Sequence, residues 1–258
     1  MARKVLVTGG TGFIGSKLKS SSSLEYFKIG SEIDLLKPDG IMRIISLAIT
    51  NNCDAILHLA WISNSQKTYE NNPDNLIWYN KTIEFAALAI KANLLFISIG
   101  TGAESENENQ TLYVQSKRLT MNELSNLAPK NLITWVRLFY VVDITERRPR
   151  IINELFKNNG IKLIMHGNTM NDYIFIEDVI SGIDFILENN ISGAIDLGSG
   201  FLTPNSKLVT KICDLMGVQF PIIKHNFRSN GEVADIKKLT KLGWNPAHTT
   251  EFFQSKEI

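Results

Sequence analysis

The stretch VLVTGGTGFIGS, from Val5 to Ser16, places four glycines within seven residues directly after an apolar run. Gly9, Gly12 and Gly15 form GxxGxxG, and Gly10 with Gly12 and Gly15 also satisfies GxGxxG. In a turn from strand to helix, one such glycine permits the tight turn and another lets backbone N–H groups approach a pyrophosphate. The last lets helix and strand pack closely. The run follows a predicted strand and opens a predicted helix, so it indicates a site for a dinucleotide phosphate.

A second group with chemical potential is the pair Tyr113 and Lys117 in the stretch TLYVQSKRL. The two residues are four apart on a helical pattern, so their side chains share one helix face. A tyrosine hydroxyl can exchange a proton with a substrate, although its ordinary pKa of about 10 is poorly matched to neutral pH. A nearby lysine ammonium favours the phenolate and lowers that pKa. The YxxxK spacing is common by itself and gains weight from the glycine run before it.

The elements that must position these residues alternate between short apolar strands and helices. Strands are predicted at Lys4–Thr8, Tyr26–Gly30, Ala55–Ala60, Leu94–Ile99 and Leu132–Val142. Helices are predicted from about Phe13 and at Gly40–Asn51, Asn75–Lys91 and Leu112–Leu127. This order predicts an α/β fold with a parallel sheet covered on both faces and right-handed crossovers.

After about Val142 the rhythm changes. Four helices are predicted there: a short one after Arg150, Val179–Leu187, Thr203–Met216 with Thr203 as its cap, and a last helix in KKLTKLGW ended by Gly243. The polar stretches Ser20–Ser23 and Glu104–Gln110 are predicted to be surface loops.

Composition excludes several classes of function. The 258 residues are 44% hydrophobic and 21% charged, which is typical of a globular chain with a sizeable core. The net charge of +1 gives no electrostatic reason to expect nucleic acid or a membrane surface as partner. Cys53 and Cys213 are far apart and lack metal-ligand spacing, and no signal peptide or run of 18 apolar residues is visible. We therefore expect a cytoplasmic protein without a metal site.

The glycine run and the Tyr-Lys pair, in this order, resemble the extended short-chain dehydrogenase/reductase family. These are NAD(P)-dependent sugar-nucleotide epimerases, dehydratases and reductases. Other stretches that are similar to the family's segments are DAILHLAW, NPDNLIWYNKTIEFA, FISIGTGAE, WVRLFYVVD, HGNTMNDYIFIEDV and AIDLGSG. The resemblance covers essentially the whole chain and implies a Rossmann-type doubly wound parallel sheet with a small C-terminal substrate-binding lobe. Residues 1–145 would be mainly the NAD(P)-binding domain and residues 146–258 mainly the lobe, with some segments returning to the sheet.

The resemblance also implies roles for individual residues. Thr101, Tyr113 and Lys117 would be catalytic, with Ser98 as the competitor of Thr101, and Lys117 would also bind the nicotinamide ribose. The cofactor would be NAD(H) or NADP(H), which the sequence does not distinguish: Glu32 and Asp34 lie near the expected position of a ribose-binding acid, whereas Lys28 and Ser31 could tolerate a 2′-phosphate. The cofactor-binding set is Gly9, Thr11, Gly12, Phe13, Ile14, Gly15, Asp34, Leu35, Leu59, Ala60, Tyr113 and Lys117.

The substrate side departs from the family pattern. The segment between Thr101 and Tyr113 is shorter than usual, Tyr140 replaces an asparagine, and Asn171 replaces an arginine that often holds the diphosphate. Four arginines remain as phosphate candidates because guanidinium groups suit that anion: Arg147, Arg148, Arg150 and Arg228. Arg150 and Arg228 match the family's positions better. The predicted substrate-binding set is Trp61, Tyr140, Arg150, Asn171 and Arg228.

Three functions follow as hypotheses from this pattern. The leading one is reduction of a nucleotide-diphosphate 4-keto-6-deoxy sugar by NAD(P)H for surface polysaccharide synthesis, and the second is a sugar-nucleotide epimerase with tightly held NAD. A dehydratase is disfavoured because neither Asp nor Glu directly follows Thr101. The third, from another class, is a noncatalytic nucleotide-sensing or scaffold protein. The expected partner is a nucleotide-diphosphate sugar, without nucleic acid or membrane, and a homodimer is compatible with the resemblance.

Overall fold

The computed structural model describes residues 1–62, 69–105, 110–127, 129–146, 152–153, 163–164, 166–227 and 230–254. The chain divides into two compact units. The first unit contains Met1–Arg137 and Ile183–Ile195, and the second contains Leu138–Gly182 and Asp196–Ile258. Each unit has its own hydrophobic cluster.

A six-stranded parallel sheet is the centre of the first unit, and the prediction of a Rossmann-type α/β fold is confirmed. Its strands are β1 (Arg3–Thr8), β2 (Leu24–Ile29), β3 (Ala55–His58), β4 (Leu95–Thr101), β5 (Ile133–Leu138) and β10 (Gly193–Leu197). The spatial order is β10-β5-β4-β3-β1-β2, so the chain steps to one side of β1 for β2 and to the other for β3. In such sheets ligands bind outside the carboxyl ends of the strands at this reversal. The glycine turn and the ends of β3 and β4 therefore meet at one edge.

Helices cover this sheet where their apolar residues recur at helical spacing. They are α1 (Phe13–Lys17), α2 (Gly40–Thr50), α3 (Asp74–Lys91), α4 (Leu112–Asn126) and α5 (Ile176–Glu188), which begins in the second unit. In α3 the residues Thr82, Phe85, Ala86 and Ala89 are buried, a stripe that packs into the core with Phe96 of β4. Helix α4 begins at a side-chain cap, because Thr111 Oγ1 accepts the Val114 N–H. No described helix offers an apolar stretch of the length that a bilayer span requires.

In the part of the second unit that the structure describes, short strands pair with one another and three further helices lie within residues 205–254. The strands are β6 (Tyr140–Val142), β7 (Leu163–Ile164), β8 (Met170–Asn171), β9 (Tyr173–Phe175), β11 (Thr203–Pro204) and β12 (Ile222–Ile223). They pair as β6 with β9, β8 with β11 and β7 with β12. The helices are α6 (Asn205–Met216), α7 (Lys237–Lys241) and α8 (Ala247–Gln254). Leu208, Val209 and Ile212 of α6 are fully buried against Tyr173 and Phe253.

Four predictions about elements and loops are wrong in detail. The run Leu132–Val142 is two strands, because Tyr140–Val142 pairs with β9 rather than continuing β5. Thr203 does not cap α6: it pairs with Asn171 in β11, and Pro204 occupies the cap position. The helix in KKLTKLGW is not the last one, since α8 follows Gly243. Glu104 is not in a surface loop, because it lies buried in a 3₁₀ turn at Gly102–Ser105.

Candidate active site

The glycine turn between β1 and α1 has one position that the protein itself leaves open. Gly9 has a φ of +67°, and a Cβ there would lie 2.9 Å from Ala60 N. A Cβ on Gly15 would lie 2.4 Å from the Gly9 carbonyl oxygen, so both glycines are needed for packing. Gly12 has extended backbone, and among the described atoms its Cβ would meet only Gly9 O, at 3.1 Å. The missing side chain at Gly12 thus leaves backbone accessible from outside, which fits the approach of a pyrophosphate.

The other residues predicted to bind cofactor line the same edge of the sheet. Thr11 is exposed, while Phe13 and Ile14 are half-buried in the first turn of α1. Leu59 and Ala60 follow β3 directly and are half-buried, with Leu59 N–H donating to Thr8 O at 3.2 Å. These positions make one continuous rim with the glycine turn.

The segment after β2 holds two acidic side chains by backbone hydrogen bonds. Both carboxylate oxygens of Glu32 accept the Gly30 N–H, at 2.8 and 2.9 Å. Asp34 is exposed and its Oδ1 accepts the Leu36 N–H at 2.9 Å, whereas Leu35 is buried in the core. Lys28 Nζ donates to Leu18 O at 2.6 Å. The carboxylates therefore lie at the sheet edge, and the ammonium of Lys28 is bound to a main-chain carbonyl.

Thr101 and Tyr113 are brought together at the carboxyl end of β4. The two side chains lie close enough for the Thr101 hydroxyl to act on the Tyr113 phenol, against the larger effect of burial on the tyrosine pKa. Thr101 ends β4 and is half-buried, and its Oγ1 also accepts the Ala103 N–H at 3.4 Å. Ser98, the competitor, is buried three residues earlier and is paired with His58 of β3. The Tyr113 ring packs edge-on against Tyr69, with centroids 5.4 Å apart.

Lys117 lies one turn further along α4 and is only 4% exposed. Its Nζ donates to the Ile99 carbonyl at 2.7 Å. The same Nζ lies 3.5 Å from the centroid of the Trp61 ring, within the range of a cation–π interaction. Trp61 is held in turn by a hydrogen bond from its Nε1 to Asn75 Oδ1 at 2.9 Å. The predicted Tyr-Lys pair therefore stands on one helix face beside the end of β4.

Burial is the largest cause of the pKa shifts of Tyr113 and Lys117. It raises the pKa of Tyr113 well above its ordinary value, and Tyr69 and Glu104 add to this effect while the hydrogen bond with Thr101 opposes it. Burial lowers the pKa of Lys117, and the negative charge of Glu104 works against that lowering. The sequence argument expected Lys117 to favour the phenolate of Tyr113. In the protein alone desolvation outweighs that effect, so Tyr113 keeps its proton at neutral pH.

Two residues near the site were missed from the sequence. Asn75 is fully buried and its Nδ2 donates to Tyr69 O at 2.6 Å and Asn72 O at 2.9 Å, which fixes the 3₁₀ turn Tyr69–Asn71 beside Tyr113. Glu104 is 8% exposed and binds the backbone of Thr101. The available signal was positional: Glu104 follows Thr101 by three residues, the spacing of one 3₁₀ turn.

The predicted substrate residues fall into three groups. Trp61 lies at the Tyr-Lys pair, as described above. Tyr140 and Asn171 lie in the second unit: Tyr140 is 46% exposed, whereas Asn171 is buried and its Nδ2 donates to Tyr173 Oη at 3.2 Å and Asn205 Oδ1 at 2.9 Å. The phosphate candidates lie outside the described residues: Arg147, Arg148, Arg150 and Arg228.

Comparison with known families identifies this arrangement. A family model described as the NAD dependent epimerase/dehydratase family matches residues 5–198, which include β1, the glycine turn, Thr101 and the Tyr-Lys pair. The chain belongs to this family. Members of the NAD dependent epimerase/dehydratase family are NAD(P)-dependent enzymes that act on sugar nucleotides, so the predicted resemblance and cofactor class are confirmed.

Individual relatives in the family extend over nearly the whole chain. An ADP-L-glycero-D-manno-heptose-6-epimerase of Brachyspira hyodysenteriae is 25% identical and covers 93% of this chain and 92% of its own. The structure is similar to that of a dTDP-4-dehydrorhamnose reductase from Bacillus anthracis in complex with NADP, with a TM-score of 0.75 and 12% identity over 95% of this chain and 93% of the other. It is also similar to a UDP-glucose 4-epimerase from Thermus thermophilus in complex with NAD, with a TM-score of 0.68 and 17% identity over 94% of each chain.

Proposed function

We propose that this chain is an NAD(P)-dependent oxidoreductase that reduces a nucleotide-diphosphate 4-keto-6-deoxy sugar, for surface polysaccharide or deoxysugar synthesis. The observation that supports it best is the proximity of Thr101, at the end of β4, to Tyr113 on α4, with Lys117 buried one turn further along that helix. This set lies at the same sheet edge as the open backbone of Gly12. A cytoplasmic location and a homodimer belong to the proposal on the resemblance alone.

The protein groups supply the proton and the polarisation that reduction of a ketone requires. When bound, the nicotinamide supplies the hydride. Tyr113, which burial holds in its neutral form, donates its phenolic proton to the carbonyl oxygen as that oxygen becomes a hydroxyl. The Thr101 hydroxyl hydrogen-bonds the same oxygen and stabilises the charge that develops on it. Lys117, when protonated, puts positive charge beside Tyr113 and would bind the ribose of the cofactor, while Gly12 and the first turn of α1 would receive the pyrophosphate.

The surroundings of Glu104 argue against a dehydratase. Elimination of water needs an acid and a base that can reach the sugar. Both carboxylate oxygens of Glu104 accept N–H groups of the protein, from Thr101 and from Trp135, and the side chain is buried. Because both of its oxygens accept hydrogen bonds inside the protein, Glu104 is not available as the acid or base of an elimination. Arg150 and Arg228 remain the predicted ligands of the substrate diphosphate, with Trp61, Tyr140 and Asn171 on the sugar side.

The test is a direct assay of purified protein. Wild-type chain is incubated with NADH or NADPH and with the 4-keto-6-deoxy sugars of dTDP, CDP, GDP and UDP, and the absorbance of the reduced cofactor is followed. We expect stoichiometric oxidation of the cofactor with one of these substrates, at a rate that falls about 10²–10⁴-fold in the Tyr113→Phe variant. Absence of oxidation with the whole panel would refute the reductase.

A second candidate is an epimerase with tightly held NAD, and the heptose epimerase that is 25% identical over 93% of the chain favours it. Tyr113 would then exchange a proton twice on one sugar, and no net oxidation of cofactor would occur. Chromatography and proton NMR of NDP-sugars after incubation would show a product inverted at one carbon. A noncatalytic sensor would bind cofactor in calorimetry and give neither result.

A further inference from the structure

Glu104 is a buried carboxylate that accepts hydrogen bonds from one residue of β4 and one residue of β5. Its Oε1 accepts the backbone N–H of Thr101 at 2.7 Å, and its Oε2 accepts the indole N–H of Trp135 at 2.9 Å. A Cβ on Gly100 would lie 2.3 Å from Glu104 Oε1 and 2.5 Å from Trp135 Nε1, so only a glycine leaves room for this arrangement. Carboxylates are seldom buried unless each oxygen is paired, and here both are.

Positive charge surrounds this carboxylate on the elements packed around it. Burial raises the pKa of Glu104, and its two hydrogen bonds together with the positive charges of Lys117 on α4 and Arg137 on β5 oppose that rise. Arg118 on α4 donates through Nε to the backbone carbonyl of Glu104 at 2.8 Å, and Arg137 donates to Ser105 Oγ at 3.3 Å. Within the described part of the chain, Tyr113 is a further ionisable group that Glu104 influences. Glu104 is thus the acidic member of a largely basic cluster.

We propose that Glu104 is a positioning residue of the active site, which holds Thr101 against Tyr113 and balances the buried ammonium of Lys117. The hydrogen bond to Glu104 fixes the backbone of Thr101. In the 3₁₀ turn that contains Glu104, the Ala103 N–H also donates to Thr101 Oγ1.

Burial lowers the pKa of Lys117, and the negative charge of Glu104 opposes that lowering. The two side chains share Trp135 as a neighbour, since its indole N–H donates to Glu104 Oε2 and its ring centroid lies 5.6 Å from Lys117 Nζ. The activity part of this inference rests on the proposed function, whereas the charge part does not.

The chain allows the charge to be separated from the hydrogen bond. In Glu104→Gln alone, one of the two N–H donors would face the amide NH₂, so a hydrogen bond would be lost together with the charge. Trp135→Phe removes that second donor and leaves the carboxylate on Thr101. The double variant Glu104→Gln with Trp135→Phe then keeps an oxygen acceptor for Thr101 but carries no charge. The matched comparison is therefore this double variant against Trp135→Phe, after thermal unfolding has shown that both are folded.

The first measurement uses ligand-free protein and needs no substrate. The side-chain resonance of Lys117, labelled with ¹³C at Cε and assigned with Lys117→Arg, is titrated by NMR in both variants. We expect the titration midpoint to fall by about one pH unit or more when the charge of Glu104 is removed. Equal midpoints in the two variants would overturn the charge role, whatever the substrate of the protein proves to be.

The second measurement separates the two roles in turnover. In the Trp135→Phe background, Glu104→Ala removes the acceptor of Thr101 as well as the charge, whereas Glu104→Gln removes the charge only. We expect kcat to fall by at least tenfold more for the alanine variant than for the glutamine variant, with KM changed by less than about threefold, as for an interaction made in the transition state. Equal kcat values would overturn the positioning of Thr101. An inactive wild type would count against the proposed function and leave the NMR result standing.

Discussion

The pKa of Tyr113 is raised and the pKa of Lys117 is lowered, and burial is the largest cause of both shifts. The raised pKa keeps the Tyr113 hydroxyl protonated at neutral pH, which is the form that can donate a proton to a carbonyl, but it also moves that pKa further from the operating pH. Lys117 can lower the pKa of Tyr113 only when Lys117 itself is protonated. The chemistry of this pair therefore depends on groups that the YxxxK spacing does not include, such as Thr101 and Glu104.

Replacing Tyr113 with phenylalanine tests its role as proton donor. The change removes one hydroxyl, so the ring contact with Tyr69 and the fold should persist. Loss of positioned acid catalysis costs roughly 10²–10⁴-fold in rate, and we expect kcat to fall within that range while NAD(P)H affinity measured by calorimetry stays within about threefold. Tyr79→Phe, the same chemical change on α3, is the control. A Tyr113→Phe enzyme as active as this control would exclude the hydroxyl from the mechanism.

Alanine at Gly12 and at Gly15 should have different effects, although both belong to one motif. The Cβ of Gly15→Ala would be 2.4 Å from a backbone oxygen, so we expect a marked loss of thermal stability. The Cβ of Gly12→Ala meets only Gly9 O at 3.1 Å among the described atoms, so the variant should stay folded and bind NAD(P)H at least about tenfold more weakly, roughly 1.4 kcal/mol. Differential scanning fluorimetry and calorimetry measure the two effects. Unchanged cofactor affinity in folded Gly12→Ala would contradict the predicted pyrophosphate site.

At the scale of elements, the apolar pattern predicted the helix bounds that depend on local sequence alone. The helices α3 and α4 begin and end within one residue of their predicted positions, because their stripes and ends are local features. The division of Leu132–Val142 into β5 and β6 was not predictable, since the run is largely apolar, as in one continuous strand, and only the strand with which it pairs changes. Glu104 was misassigned for the same reason: a glutamate in a polar stretch indicates surface unless the donors that bury it are known.

His58 joins three elements and should make stability depend on pH. Its Nδ1 lies 2.7 Å from Thr8 Oγ1 on β1 and its Nε2 lies 3.2 Å from Thr82 Oγ1 on α3, while His58 itself ends β3. Burial, with a smaller contribution from Lys117, lowers its pKa to about 3. The unfolded chain takes up this proton near pH 6.5 and the folded protein does not. The stabilisation is therefore complete above pH 6.5 and is lost as the pH falls toward 3.

We expect the free energy of unfolding to fall by up to about 1.4 kcal/mol per pH unit below pH 6.5 from this residue alone. Urea unfolding at a series of pH values between 6.5 and 5 measures the slope. His58→Phe should flatten it, even though the variant is less stable overall, and His225→Gln, at an exposed position, should leave it unchanged. Equal slopes in wild type and His58→Phe would show that another group is responsible.

At the scale of the whole molecule, the two units are distinct in packing but continuous in chain. Strands β5 and β10 and helix α5 each begin in one unit and end in the other. The second unit depends on Asp172, a fully buried carboxylate: its Oδ1 accepts the Ser199 N–H and hydroxyl, and its Oδ2 accepts the N–H groups of Gly200 and Ala234. Because three elements cross the boundary, damage to this clamp should affect the unfolding of both units.

Asp172→Ala leaves these buried donors without an acceptor, and each unsatisfied buried donor costs about 1–3 kcal/mol. We expect a large fall in the melting temperature and one cooperative transition, as the shared elements require. Calorimetry measures both. Asp214→Ala, an exposed aspartate on α6, is the control and should change stability by no more than about 0.5 kcal/mol. Two separated transitions in Asp172→Ala would show that the units unfold independently.

The indole of Trp61 lies directly against the ammonium of Lys117, at 3.5 Å from ring centroid to Nζ. An indole responds to a neighbouring charge by a change in its emission spectrum, so the site contains its own optical reporter. The intrinsic fluorescence of the protein should shift when Lys117 loses its proton, and shift again when a bound ribose competes for the ammonium. Subtracting the spectrum of Trp61→Phe isolates this signal from Trp78, Trp135 and Trp244. Ligands can thus be screened on unlabelled protein before any substrate is known.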